Sequence, residues 1–158
     1  MHINTGNYIQ IQPQIIKFPT DLNFSNSGDN HLVCNLKKVK VIPSGTIVQN
    51  DFPPTDATID ALGKHSFCIT DADIYIFGII NLRTNSTTND SVIVLKEELL
   101  SRLNPHHYDE DRINIKLFLT SKGQLIEFEG LGGEAFFIHA WMNRDFSQYL
   151  NNWSVFNT

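Results

Sequence analysis

Residues 73–82, DIYIFGIINL, constrain the fold of this chain more than any other stretch. A strand with one face in water alternates apolar and polar residues, because successive side chains point to opposite faces. Here Ile74, Tyr75, Ile76, Phe77, Ile79 and Ile80 leave neither face polar. Such a run is a strand in the middle of a sheet, with material packed against both sides. It is too short to cross a bilayer as a helix. The rest of the chain has to supply neighbours and two covering layers.

The remaining patterns are read around that strand. Residues 8–17, YIQIQPQIIK, alternate and then meet Pro13, which suggests an edge strand interrupted by a bulge. Residues 18–30 are rich in Pro, Asp, Asn, Ser and Gly and read as a loop. Residues 31–42 read as one long strand, with Leu32, Cys34 and Leu36 on one face and Val33, Asn35, Lys37, Val39 and Val41 on the other. Pro43-Ser44-Gly45 is a turn, 46–49 a return strand, and 51–58, with Pro53 and Pro54, a loop. Residues 59–62 suggest a short helical turn ended by Gly63.

After the central run, 83–90 reads as a polar loop, 91–95 as a neighbouring strand, and 96–103 as a helix stopped by Asn104-Pro105. Residues 112–120 alternate cleanly, Ser121-Lys122-Gly123 turns the chain, and 124–129 return, which defines a hairpin. Residues 134–141 fit strand and helix equally. Residues 144–153 suggest an amphipathic helix with Phe146, Tyr149, Leu150 and Trp153 inward. The sum is an α+β or α/β fold: a mixed central β-sheet with two or three flanking helices. It reads as a single domain over 1–158, or a fragment of a larger enzyme.

A net charge of −5 argues against a generic basic coat for nucleic acid, yet is compatible with a nuclease whose active-site acids lower the balance. Lys37, Lys38 and Lys40 form the one tight basic cluster, either a lysine-guarded sheet edge or a phosphate-facing patch. Cys34 and Cys68 sit in apolar surroundings, where free thiols are the default. The first ten residues lack the basic-then-apolar pattern of a signal peptide. A cytoplasmic protein with no membrane partner is the expectation.

Metal-assisted phosphodiester hydrolysis needs carboxylates for the ion, an activated water and a cation near the phosphate. On a continuous strand Asn35 and Lys37 share a face. Asp29 or Asp21, from the preceding turn, supplies the carboxylate. This order of residues, followed by Gly63-Lys64-His65-Ser66-Phe67, the Asp-led apolar strand and the strand-helix pair over 91–103, resembles the PD-(D/E)xK nuclease superfamily, the fold of many type II restriction endonucleases. The resemblance covers roughly residues 20 to 155 and places Asn35 where the family carries an acid. It implies a Mg²⁺-dependent endonuclease acting on double-stranded DNA, often as a homodimer. Asp29 and Asp21 would be metal and catalytic acids, with Asn35 and Lys37 completing the site. Lys38, Lys40, Lys64 and His65 would contact DNA.

Other chemistry-bearing residues read as structural. His106 and His107 with Asp109, Glu110 and Asp111 form a polar loop. His139, Cys34, Trp141 and Trp153 are core or packing residues, and Gly130-Leu131-Gly132-Gly133 is a tight turn without the lysine of a P-loop. A second functional reading is therefore non-enzymatic: a small α+β binding module, such as an immunity or inhibitor protein that neutralises a nuclease or toxin. Its interface acids would be Asp71, Asp73 and the 109–111 loop. The two readings differ in geometry. Asp29, Asn35 and Lys37 converging in a basic groove favour the enzyme. An acidic, aromatic-rimmed surface, with those three apart, favours the binder.

Overall fold

The computed structural model describes residues 2–4, 7–11, 14–28, 30–48, 59–82, 86–128 and 145–157. Its strands are β1 (His2–Asn4), β2 (Tyr8–Ile11), β3 (Gln14–Lys17), β4 (Ser25–Asn26), β5 (Leu32–Cys34), β6 (Lys37–Ile42), β7 (Ile59–Phe67), β8 (Ile74–Asn81), β9 (Ser86–Leu95), β10 (Tyr108–Asp109), β11 (Arg112–Thr120) and β12 (Leu125–Phe128). The helix is α1 (Lys96–Arg102), and 3-10 turns cover Pro105–His107, Ser147–Tyr149 and Trp153–Asn157.

β8 is the central strand that its composition demands. β9 runs antiparallel along one of its edges from Ile74 to Asn81. The other edge is shared: β6 lies parallel to Ile74–Phe77, and β7 pairs antiparallel with Ile80 and Asn81. β7 continues onto β11, which also pairs with β10 and β12. β5 and then β4 extend the sheet beyond β6. Residues 145–150 join the far strands through two single bridges, Ile126 to Asp145 and Val92 to Leu150. They thereby tie β12 to β9 and curl the sheet into a ring.

The two faces of β8 serve two cores. Tyr75, Phe77 and Ile79 point into the ring, where they meet Phe67, Val92, Val94, Ile115, Leu117 and the plug formed by Phe146 and Tyr149. Ile74 and Ile76 point the other way, with Val39, Val41 and Ile93. A hairpin of β2 and β3 covers them through Ile9 and Ile16, together with Phe18, Phe24 and Phe156. A third, small cluster of Leu62, Phe118 and Ile126 is sheltered by Ile47. The bulge in β8 between Gly78 and Ile80 falls where β6 gives way to β7. A Cβ at Gly78 would stand 2.4 Å from the Gln14 Oε1 atom. The buried Gln14 amide uses that space to donate to the Ser44 carbonyl and accept from the Ser44 N–H, locking the hairpin to the end of β6.

Several expectations need correction. The described residues hold one α-helix rather than two or three. The helix expected over 144–153 is replaced, within 145–153, by bridge residues and 3-10 turns, because Asp145 and Leu150 are committed to the edges of β12 and β9. Residues 59–62 open a nine-residue strand instead of a helical turn; pairing with β11 overrides the local pattern. The single strand over 31–42 is a hairpin, turned at Asn35-Leu36, both in the left-handed region (φ 52° and 67°). Residues 8–17 form the hairpin of β2 and β3 rather than one bulged strand. The 46–49 return strand is absent as far as residue 48; the Gly45 N–H donates to the Lys64 carbonyl of β7. The 83–90 loop is strand from Ser86 onward. The hairpin of β11 and β12 and helix α1 stand close to where the sequence put them. Among the described residues, no helix is long and apolar enough to cross a membrane.

Candidate functional site

The turn at Asn35-Leu36 separates the residues that a continuous strand would have aligned. Asn35, exposed at the tip, donates from its amide Nδ2 to the Phe156 carbonyl at 2.8 Å. Lys37, at the start of β6, donates from Nζ to the Val155 carbonyl at 3.0 Å. Both side chains therefore clasp the 3-10 turn of Trp153–Asn157 onto the hairpin. Asp21 is exposed, in a turn at residues 20–21. It stays in electrical reach: burial pushes the Cys34 thiol up, Asp21 adds to that rise, and Lys37 opposes it. Asp29 lies outside the described residues. No group of three or more His, Cys, Asp or Glu suited to a metal ion occurs among the described residues.

The four residues expected along DNA are also dispersed. Lys38 pairs with Asp71 at 2.9 Å and holds the Asp71 carboxyl below the usual carboxylate range. Lys40 donates to the Cys68 carbonyl at 3.1 Å. Lys64 is half-buried in β7, its backbone N–H given to Ser44 Oγ. His65, expected to contact DNA, is in β7 and fully buried against Phe77. Its Nε2 donates to the Gly78 carbonyl at 2.7 Å, and its Nδ1 has no partner. Burial pushes this imidazole down to about 4, against a smaller upward pull from the Gly78 carbonyl. A neutral, enclosed ring of this kind does not reach a nucleic acid.

One pair was not legible in the sequence. His107, expected in a polar loop, is buried and hydrogen-bonded to the buried Glu127 of β12. The Asn104 N–H donates to His107 Nδ1, so Nε2 carries the proton given to Glu127. With its basic nitrogen occupied by backbone, the imidazole pins the 3-10 turn to the sheet rather than standing ready to accept a substrate proton. The His106 side chain, and the residues His139, Trp141 and Gly130 to Gly133, lie outside the described residues.

What the fold does gather is charge at one end of the sheet. The registers set the starts of β6, β8 and β11 beside the ends of β7 and β9. That end carries the Asn35-Leu36 tip, Asp71 and Asp73 before β8, Glu97 and Glu98 in the first turn of α1, and Asp109, Glu110 and Asp111 around the turn from β10 to β11. All seven acids are exposed. Asp71, Asp73, Leu95, Lys96 and Glu97 line a depression of about 240 Å³.

The backbone under the acids is fixed. The Tyr75 hydroxyl accepts the Thr70 N–H at 3.0 Å, and Thr70 Oγ1 bonds His31 Nε2 at 2.9 Å. The Asp73 N–H donates to the Lys38 carbonyl, while the Lys38 N–H returns to Asp73 Oδ2. Two apolar groups stand out on the same end. Leu36 is 98% exposed, and Tyr108 is 48% exposed. A leucine held in a left-handed turn and open to water breaks two local rules at once, with no packing in return.

No protein-family model, curated protein or solved structure matches this chain.

Proposed function

We propose that this chain is a non-enzymatic binding module of the immunity or inhibitor kind, and that its acidic end engages a basic protein such as a nuclease or toxin domain. The observation that carries the reading is Leu36. Strained, exposed apolar residues are kept where a partner buries them. Around this one stand seven exposed carboxylates and Tyr108. Carboxylates steer a basic partner to the surface and set orientation, and the leucine and tyrosine supply apolar contact once water is expelled. Asn35 and Lys37 are engaged with the 155–156 backbone, which supports a scaffolding role for them.

The test is capture of proteins from the source cell by wild type, by Leu36→Gly and by an Asp71→Lys, Asp73→Lys double variant. The expected result is one basic protein retained by wild type, released by moderate salt and lost by both variants. Mg²⁺-dependent cleavage of plasmid DNA that disappears in Lys37→Ala would overturn the reading in favour of a nuclease of the double-stranded DNA, homodimeric type.

A further inference from the structure

The shared edge of β8 has a structural cost on the outside of the ring. β7 leaves β8 after Leu62, while β6 stays on it as far as Ile42. Two strands that share one edge must splay apart, and a cleft of about 250 Å³ opens between them. Lys40, Val41, Ile42 and Pro43 line one wall, Ser66, Phe67 and Cys68 the other, and Arg112 of β11 closes the rim.

Both cations are held by hydrogen bonds to residues 66 and 68, so they are aimed before any ligand arrives. Lys40 Nζ donates to the Cys68 carbonyl. Arg112 gives Nε to Ser66 Oγ at 2.9 Å, Nη2 to the Ser66 carbonyl at 2.8 Å, and Nη1 to Cys68 Sγ at 3.8 Å. An ammonium has three donors and a guanidinium five, so these bonds leave donors on both heads. No carboxylate is among the described residues that line the cleft. In a chain of net charge −5, two preorganised cations facing one concavity make a local reversal of sign.

We infer that this cleft is a binding site for a phosphate-class anion, held between Lys40 and Arg112 with the Cys68 thiol at its edge. The planar guanidinium suits a bidentate oxyanion and the ammonium adds a point charge. The site borders the acidic end, since Arg112 follows Asp111 and pairs in register with Asp109.

Cys68 makes the cleft testable in the intact protein. Its thiolate attacks the methylene of iodoacetate or iodoacetamide, an S–C bond forms as the C–I bond breaks, iodide leaves, and the thiol proton goes to solvent. Cys34 is buried, and mass spectrometry of the Cys68 peptide separates the two. The quantity read is the ratio of the two alkylation rates, anionic over neutral reagent. In the folded protein it should exceed the ratio in the urea-unfolded chain by about fivefold, the effect of one favourable charge contact near water.

Lys40→Met and Arg112→Gln should bring the ratio down to the unfolded value. Lys122→Gln, in the exposed turn between β11 and β12, should leave it unchanged. In wild type, inorganic phosphate should slow the iodoacetate reaction more than sodium chloride at equal ionic strength. Phenyl phosphate doing the same assigns the monoester class, and protection by inorganic phosphate alone assigns the free ion. A folded ratio equal to the unfolded one, or phosphate acting no better than chloride, would overturn the inference. The wild-type arm decides even if a variant fails to fold.

Discussion

Replacing Leu36 by glycine should stabilise this protein, although it removes a large apolar side chain. Leu36 occupies the second position of a two-residue turn with φ 67°. Left-handed backbone costs an L-residue roughly 1–2 kcal/mol, which glycine does not bear. Against this, glycine gives up more backbone freedom on folding, which offsets roughly 0.5–1 kcal/mol. Nothing is lost from packing, because the side chain is 98% exposed. The net gain is about 0.5–1 kcal/mol, or a rise in Tm of about 2 °C for a chain of this size. Urea unfolding should show a higher midpoint with an unchanged slope. Leu36→Ala keeps the Cβ and so keeps the strain, and its midpoint should match wild type. If Leu36→Gly is no more stable than wild type, or if Leu36→Ala gains as much, the strain argument fails. The same glycine that steadies the fold should weaken partner capture, a trade-off expected where a surface residue is kept for contact rather than for folding.

Three further outcomes follow from the interior. His65 ionises near 4 when folded, below the ordinary value of about 6.5 for an unfolded histidine, so the unfolded chain takes up its proton first. Stability should be full above pH 6.5 and fall by about 1.4 kcal/mol per pH unit toward pH 4 from this group; His65→Gln, which keeps a donor for the Gly78 carbonyl, should flatten that part of the urea midpoint profile. His107→Leu removes a donor from buried Glu127 and should cost about 3 kcal/mol, whereas the double change to leucine at both positions should cost clearly less than the sum of the two single changes; single costs that simply add up to the double would show that the pair is not coupled. Gly63→Ala places a Cβ 2.5 Å from His65 Cε1 and 3.0 Å from the Gly78 carbonyl oxygen, and overpacking of this kind should cost about 1–3 kcal/mol in calorimetry.

Features set by local pattern could be read from the chain alone. The two-sided apolarity of residues 74–80 defined β8, and clean alternation over 112–120 defined β11. The turn at Asn35-Leu36 was hidden because leucine there is a poor turn residue; the one signal was Asn35, among the few residue types that enter the left-handed region easily. A continuous strand drawn through that turn aligned Asn35 with Lys37, and the site assignment rested on that alignment. β7 was obscured because Ala61, Leu62 and Gly63 are buried in succession, facing different clusters, so no period of two survives. The link between His107 and Glu127 spans twenty residues and two elements and has no local signature. The acids of the second reading, Asp71, Asp73 and 109–111, were legible as residue types, but only the strand registers show that they share one end, and that Glu97 and Glu98 join them there.

The closure of the ring by residues 145–150 has a consequence for how the chain acquires its structure during synthesis. Phe146 and Tyr149 complete one core, and Val155 and Phe156 complete the other. Phe24 rests edge-on against Phe156 at 5.4 Å between ring centres. Contacts across so much intervening chain are late to form and slow folding, since the loop must close before the contact rewards it. While a ribosome is still making residue 140, both faces of β8 lack part of their cover, and the bridges from Asp145 to β12 and from Leu150 to β9 are not yet made. The nascent chain should therefore be protease-sensitive and dependent on holding chaperones until residues 145–157 emerge, and should then gain protection in both cores in a single step.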